Sequence, residues 1–161
     1  MYQRKLEKTY VTPFEHFIDL VGSKWNGRVL GILHMRPNLR YGDIKRLLPG
    51  ITDPVLSDIL KLFQKEGIIT RTQLNTMPIR VEYSLTDLGW ELVYLCQDVC
   101  KWSCKSYPRD PENEYIYCLN CTINPLTSEQ RSLIDEKYQE TYAELIAEME
   151  KIEQDRKDEI K

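Results

Sequence analysis

Two sets of side chains in this sequence have types and spacings that could do chemistry. The first is sulfur. Cys100 and Cys104 lie one helical turn apart, and Cys118-Leu119-Asn120-Cys121 follows. Four thiolates can hold zinc tetrahedrally in a closed structural site, one ion per chain. The spacing, C-x3-C, thirteen residues, then C-x2-C, is looser than a pair of tight zinc knuckles. Two rivals therefore stay open: a redox pair at Cys118 and Cys121, and thiols with no ligand. Cys96 fits an apolar stripe and reads as core. The second set is polar and basic. Thr52, Asp53, Ser57, Asp58 and Lys61 fall within one short segment, Arg40 and Lys45 precede it, and Arg80 follows. Side chains of this kind can meet base edges and phosphates. Asp58 could accept from a cytosine amine, or be a solvated or helix-capping acid. Arg80 could reach a phosphate or a minor groove, or pair with Glu82 or another acid.

The elements that must position the second set are legible. Ile44, Leu47 and Leu48 share one helix face, and Pro49-Gly50 stops that helix. Thr52 can cap the next helix, which Asp53-Pro54 open. Leu56, Ile59, Leu60 and Phe63 then recur at helical spacing up to Gly67. Two short helices across such a turn have the form of a helix-turn-helix. Beyond Gly67 the period alternates. Residues 68–74 and 79–85 read as two strands joined by a turn at Asn75-Thr76-Met77-Pro78, so the pair is a hairpin wing with Arg80 near its tip.

Upstream, Thr12-Pro13-Phe14-Glu15 starts a helix carrying Phe14, Phe17, Ile18 and Val21. Gly22-Ser23 breaks and recaps it. In the helix that follows, Gly27 and Gly31 bare a stripe of backbone, at about 2 kcal/mol relative to alanine, so another helix is expected to pack closely there. Thr86-Asp87-Leu88-Gly89 opens a helix whose stripe of Leu88, Leu92, Leu95, Cys96, Val99 and Trp102 is available to a second subunit. From Leu126 a last helix carries Tyr138, Tyr142, Leu145, Met149 and Ile152 four and three apart. That seam either lies on its own domain or pairs with the other subunit.

Charge is divided along the chain. Residues 22–90 hold ten Lys/Arg against six acids, a net +4, while residues 129–161 hold eleven acids against six bases, a net −5. The middle can face a polyanion, and the acidic tail is expected to sit away from it. No segment is apolar for long enough to span a bilayer, and the N-terminus lacks a signal core, so a cytoplasmic protein with no membrane partner is expected. An enzyme is not expected. The two histidines, His16 and His34, lie on predicted helices with no nucleophile arrangement nearby, and no phosphate-binding loop is present.

The segments GSKW (22–25), RYGDIKRLLPGI (40–51), LSDILKLFQKEGII (56–69) and RVEYSLTDLG (80–89) resemble the HxlR family of winged helix-turn-helix regulators, within the MarR-like superfamily. The resemblance covers residues 12–104. It implies a mainly α fold with a small β-hairpin wing (α+β). It also implies a homodimer through the N-terminal and C-terminal helices of that unit, with two recognition helices presented to a palindromic operator. The chain departs from the family pattern in three places. Many relatives have a cysteine just before the proline and acid of the first helix. Thr12 stands there, which excludes a thiol sensor at that position. Pro54 and Ile59 stand where relatives often have basic residues. Residues 105–161 have no counterpart in a short family member.

The organisation expected is a winged-helix DNA-binding and dimerisation domain at 1–104, a cysteine-containing loop at 105–125, and an amphipathic acidic helix at 126–161. The function expected is a transcriptional regulator binding double-stranded DNA as a homodimer through Arg40, Lys45, Thr52, Asp53, Ser57, Asp58, Lys61 and Arg80. The alternatives are a winged helix used only for protein contacts, and a redox-responsive regulator using Cys118 and Cys121. Its signal is a small-molecule effector at the dimer interface, the state of the cysteine site, or none.

Overall fold

A computed structural model describes residues 12–106 and 128–159, with side chains described over 12–103, at 106 and over 143–159. The helices begin where local chemistry provides for their unpaired amides. Thr12 is extended and its hydroxyl accepts from the Glu15 amide at 3.3 Å, opening α1 (Pro13–Val21). Ser23 opens α2 (Lys24–Met35) by accepting from the Asn26 amide, also at 3.3 Å. The buried Asn26 side chain accepts from the Ser23 hydroxyl at 3.1 Å and donates to the Leu20 carbonyl at 2.9 Å. The break between α1 and α2 is thus a closed hydrogen-bonded corner.

α3 (Tyr41–Leu47) starts with the Asp43 carboxylate accepting from the Arg40 amide at 3.1 Å. Gly50, at φ 87°, takes the left-handed conformation that the turn needs. α4 (Asp53–Lys65) follows. Thr52 stands at its capping position, but the hydroxyl makes no cap hydrogen bond.

β1 (Ile69–Leu74) and β2 (Arg80–Leu85) pair antiparallel from Ile69↔Leu85 to Leu74↔Arg80. Leu39, in what reads as a loop, adds a bridge to Tyr83, with reciprocal N–H to carbonyl hydrogen bonds of 3.0 and 2.8 Å. This bridge binds the entry of the helix-turn-helix to the wing. Thr86 then folds the chain back: its hydroxyl donates to the Gly67 carbonyl at 2.6 Å and accepts from the Gly89 amide at 3.0 Å. α5 (Asp87–Ser106) starts there. A Cβ on Gly89 would run into the Ile68 carbonyl, so the glycine of TDLG permits the close approach of helix and wing base.

The core is built from one face of each helix. Val29, Ile32 and Leu33 of α2 meet Ile44 and Leu47 of α3 and Leu56, Leu60 and Phe63 of α4, all 3 % exposed or less. Ile59 belongs to this core at 5 % exposure. Its departure from a basic residue is therefore a packing change and leaves the outer face of α4 untouched. At the glycine stripe, a Cβ at Gly27 or Gly31 would meet no atom within 4 Å, so among the described residues no helix packs closely there.

The last helix, α6 (Ser128–Glu159), returns to the domain. Met149 and Ile152 are buried, at 6 % and 1 % exposure, and Leu145 packs beside them. Of the two readings of its seam, this part takes the intramolecular one, with α6 lying against α3. Two such burials contribute on the order of 2 kcal/mol each. The upper seam, Tyr138 and Tyr142, lies outside the described side chains. Among the described residues no helix is long and apolar enough to cross a membrane.

Candidate nucleic-acid interface

With Leu56, Ile59, Leu60 and Phe63 turned inward, α4 presents Pro54, Val55, Asp58, Lys61 and Lys65 outward. Ser57 is half-buried at the margin, and Thr52 is exposed at the helix start. The sequence-predicted Asp58 and Lys61 therefore share one open face. Val55, 37 % exposed, belongs with them and was missed as a site residue, although its spacing from Asp58 signals the same face. A valine among polar neighbours can meet a thymine methyl.

Lys45 and Asp53 are brought together across the turn. Lys45 Nζ lies 2.6 Å from Asp53 Oδ2, and the Tyr41 hydroxyl donates to Asp53 Oδ1 at 2.9 Å. Hydrogen bonds from Lys45 and then Tyr41 hold the Asp53 carboxyl below the usual range. The Tyr41 phenol is pushed up to about 12, first by burial and then by Asp53. Lys45 thereby has an ion-pair partner within the domain.

Arg40 and Arg80 converge as well, one at the cap of α3 and the other at the first residue of β2. Neither points to open solvent. Oε2 of Glu159, at the end of α6, lies 2.8 Å from Arg40 Nη2 and 3.1 Å from Arg80 Nη1. The hydrogen bond to Glu159 raises the Arg40 pKa, and the same bond holds the Glu159 carboxyl below its ordinary value. Arg80 does have an acid partner, but it is Glu159; Glu82 faces Arg156 of α6 at 3.8 Å. Acids of the tail thus lie against the basic middle. Glu153 meets Arg36 at 2.5 Å, Glu148 meets Arg46 at 2.5 Å, and Asp155 lies 3.7 Å from Arg46. Apolar anchoring by Met149 and Ile152 carries these acids onto the domain, and the tail's net charge could not reveal that. On the wing, Arg71 is an exposed cation of β1 that sequence reasoning did not single out.

Two helices expose apolar side chains. Phe14 (68 % exposed) and Ile18 on α1, and Tyr94, Leu95, Val99 and Trp102 (61 %) on α5, are all exposed. The two histidines behave as structural residues. His16 Nε2 lies 3.0 Å from Glu66 Oε2, linking α1 to the end of α4. His34 sits edge-on to Trp90 with ring centroids 5.2 Å apart, beside Gln97 at 3.3 Å, and burial lowers its pKa.

Cys96 is half-buried on α5 and burial pushes its thiol up, while Cys100 is exposed; neither forms a disulfide. Cys118 and Cys121, and the side chain of Cys104, lie outside the described residues. Among the described residues no group of three metal-ligating side chains comes together.

Comparison with known proteins bears on this geometry. The family model HxlR-like helix-turn-helix matches residues 20–111. YdzF, an HTH-type transcriptional regulator of Bacillus subtilis strain 168, is 43 % identical over 90 residues, covering 56 % of this chain and 83 % of YdzF. A MarR-family structure from Enterococcus faecalis V583 superposes with a TM-score of 0.56 at 30 % identity, covering 63 % of this chain and 91 % of that one. The redox regulator HypR in its oxidised form superposes with a TM-score of 0.53 at 30 % identity, covering 62 % and 99 %. The match to the family model ends before α6 begins.

Proposed function

Because the chain belongs to the HxlR family of helix-turn-helix transcriptional regulators, we propose that it binds a palindromic DNA operator as a homodimer. The observation that carries this reading is the outer face of α4. Val55, Asp58 and Lys61 stand together on a helix whose other side is locked into the core, as a helix that enters a major groove requires. Arg40, Lys45, Arg71 and Arg80 flank that helix on α3 and the wing, where backbone phosphates would run. A groove-reading helix with so few cations leaves much of the affinity to the flanks and to the second subunit. The exposed apolar side chains of α1 and α5 supply the dimer contact in this proposal.

Selection of bound duplexes by the full-length protein, followed by titration of the selected site at increasing salt, tests the reading. Affinity that falls steeply with salt, on a site with two related half-sites, supports it. No duplex binding at low salt would favour a winged helix used for protein contacts.

The four thiolates Cys100, Cys104, Cys118 and Cys121 enter as a structural zinc site, supported by their spacing. Elemental analysis near zero in carefully purified protein, with four thiols reactive after unfolding, would leave a redox pair at Cys118 and Cys121 or thiols with no ligand.

A further inference from the structure

We infer that the C-terminal end of α6 is an internal competitor for DNA: Glu159 occupies the place of a backbone phosphate between Arg40 and Arg80, and operator binding requires that end to leave. The inference rests on the DNA-binding reading above.

Three observations carry it. One carboxylate oxygen is shared by two guanidinium groups, at 2.8 and 3.1 Å. That is the coordination a phosphate oxygen receives from paired arginines, so Glu159 and a phosphate cannot hold both at once. The neutralisation also extends beyond Glu159. Glu148, Glu153 and Asp155 pair with Arg46 and Arg36, so four acids of one helix answer four arginines of the domain. Finally, the docking is specific. Met149 and Ile152 are buried beneath the charged rows, and Arg156 is turned the opposite way, 3.3 Å from Asp43 and hydrogen-bonded to the Asn38 carbonyl. A helix held by net charge alone would not place a cation on the domain's acids. α6 also lies beyond the region shared with the family, so the competitor is a property of this chain.

The test uses the full-length protein and fluorescence anisotropy with two labelled duplexes, one selected for binding and one of unrelated sequence. Wild type is compared with Glu159→Gln, Ile152→Asp and Glu150→Gln. The last removes a charge from an exposed position of α6 to which no contact on the domain is assigned. Circular dichroism confirms that each variant keeps its fold. Glu159→Gln and Ile152→Asp are expected to bind both duplexes several-fold more tightly. The salt dependence should steepen by about 1 to 2 in slope as two arginines reach phosphates. Glu150→Gln is expected to stay within a factor of about two of wild type, as a distant screened charge should. If Ile152→Asp does not fold, Glu159→Gln decides alone. Equal gains for Glu159→Gln and Glu150→Gln would overturn the inference, because net charge would then explain both. Wild type that binds DNA, with Glu159→Gln no tighter, overturns it while leaving the DNA-binding reading intact. Absence of binding by every form removes that reading and the inference with it.

Discussion

Lys45 and Asp53 close the turn of the helix-turn-helix with an ion pair of 2.6 Å, joining the exposed side of α3 to the first residue of α4. Both side chains are largely exposed, so the pair adds little to stability. Its larger effect is on charge. Asp53→Asn is expected to leave the fold intact and to strengthen duplex binding modestly by releasing Lys45 to phosphate. Lys45→Ala should weaken binding and flatten its salt dependence. Anisotropy titrations of the two variants at several salt concentrations check the opposite signs.

Lys61 stands on the open face of α4 and makes no ion pair with a described residue. Lys61→Ala is expected to weaken duplex binding without changing the unfolding midpoint, and to reduce the salt slope by about 1 if its contact is a phosphate. Arg80→Ala should also weaken binding, but less than Lys61→Ala in the wild-type background, because Arg80 is already engaged by Glu159. Repeating Arg80→Ala in the Glu159→Gln background should reveal a larger loss. An identical loss in both backgrounds would show that the two sites act independently.

Gly89 is required by space and Gly67 by backbone. Gly89→Ala puts a methyl group against the Ile68 carbonyl and is expected to cost about 1–3 kcal/mol through overpacking. Gly67, at φ 70°, should lose roughly 1–2 kcal/mol on substitution by alanine. Urea unfolding with an unchanged m-value measures each.

Acid should act on two groups in different windows. His34 is held neutral by burial, with a pKa below its ordinary 6.5. The unfolded chain then binds the extra proton first, so global stability falls as pH drops from 6.5 toward the lowered value. His34→Gln should remove that slope. Glu159 is held below its ordinary 4.5 by Arg40. Its contribution to α6 docking is fully present above 4.5 and is lost as pH falls through the depressed value. Hydrogen exchange at residues 149–156 should therefore rise only below pH 4.5.

The exposed apolar side chains of α1 and α5 give a prediction about assembly. Trp102→Glu and Phe14→Glu place a charge among them and are expected to shift the protein toward monomer in sedimentation velocity, with the domain still folded. Loss of dimerisation should weaken operator binding far more than binding to an isolated half-site.

Much of the architecture is carried by local chemistry and is therefore legible in the sequence. Thr12 and Ser23 mark helix starts through hydrogen bonds three residues long, and the alternation on either side of the 75–78 turn marks a hairpin through contacts between near neighbours. The site was only partly legible, for a physical reason. That Lys45 would find Asp53, or Arg40 would find Glu159, depends on tertiary placement, and the second pair spans nearly the whole domain in sequence. An amphipathic stripe such as Leu145, Met149 and Ile152 announces that it will be buried, but gives no address for the burial. Ile59 carries the same lesson in reverse. A residue that looks like a change in the reading face is a core side chain once the helix is rotated into place.

The charges along the docked face of α6 run acidic at Glu148, Glu153 and Asp155, basic at Arg156, then acidic again at Glu159. A displacement by one turn would move Arg156 off Asp43 and Glu82 and set Ile152 among their carboxylates. The helix can therefore be in register or off the domain, with no favourable halfway position. Release would be a switch with two settings, and the rate of leaving, rather than a graded slide, would set how quickly the arginines become available.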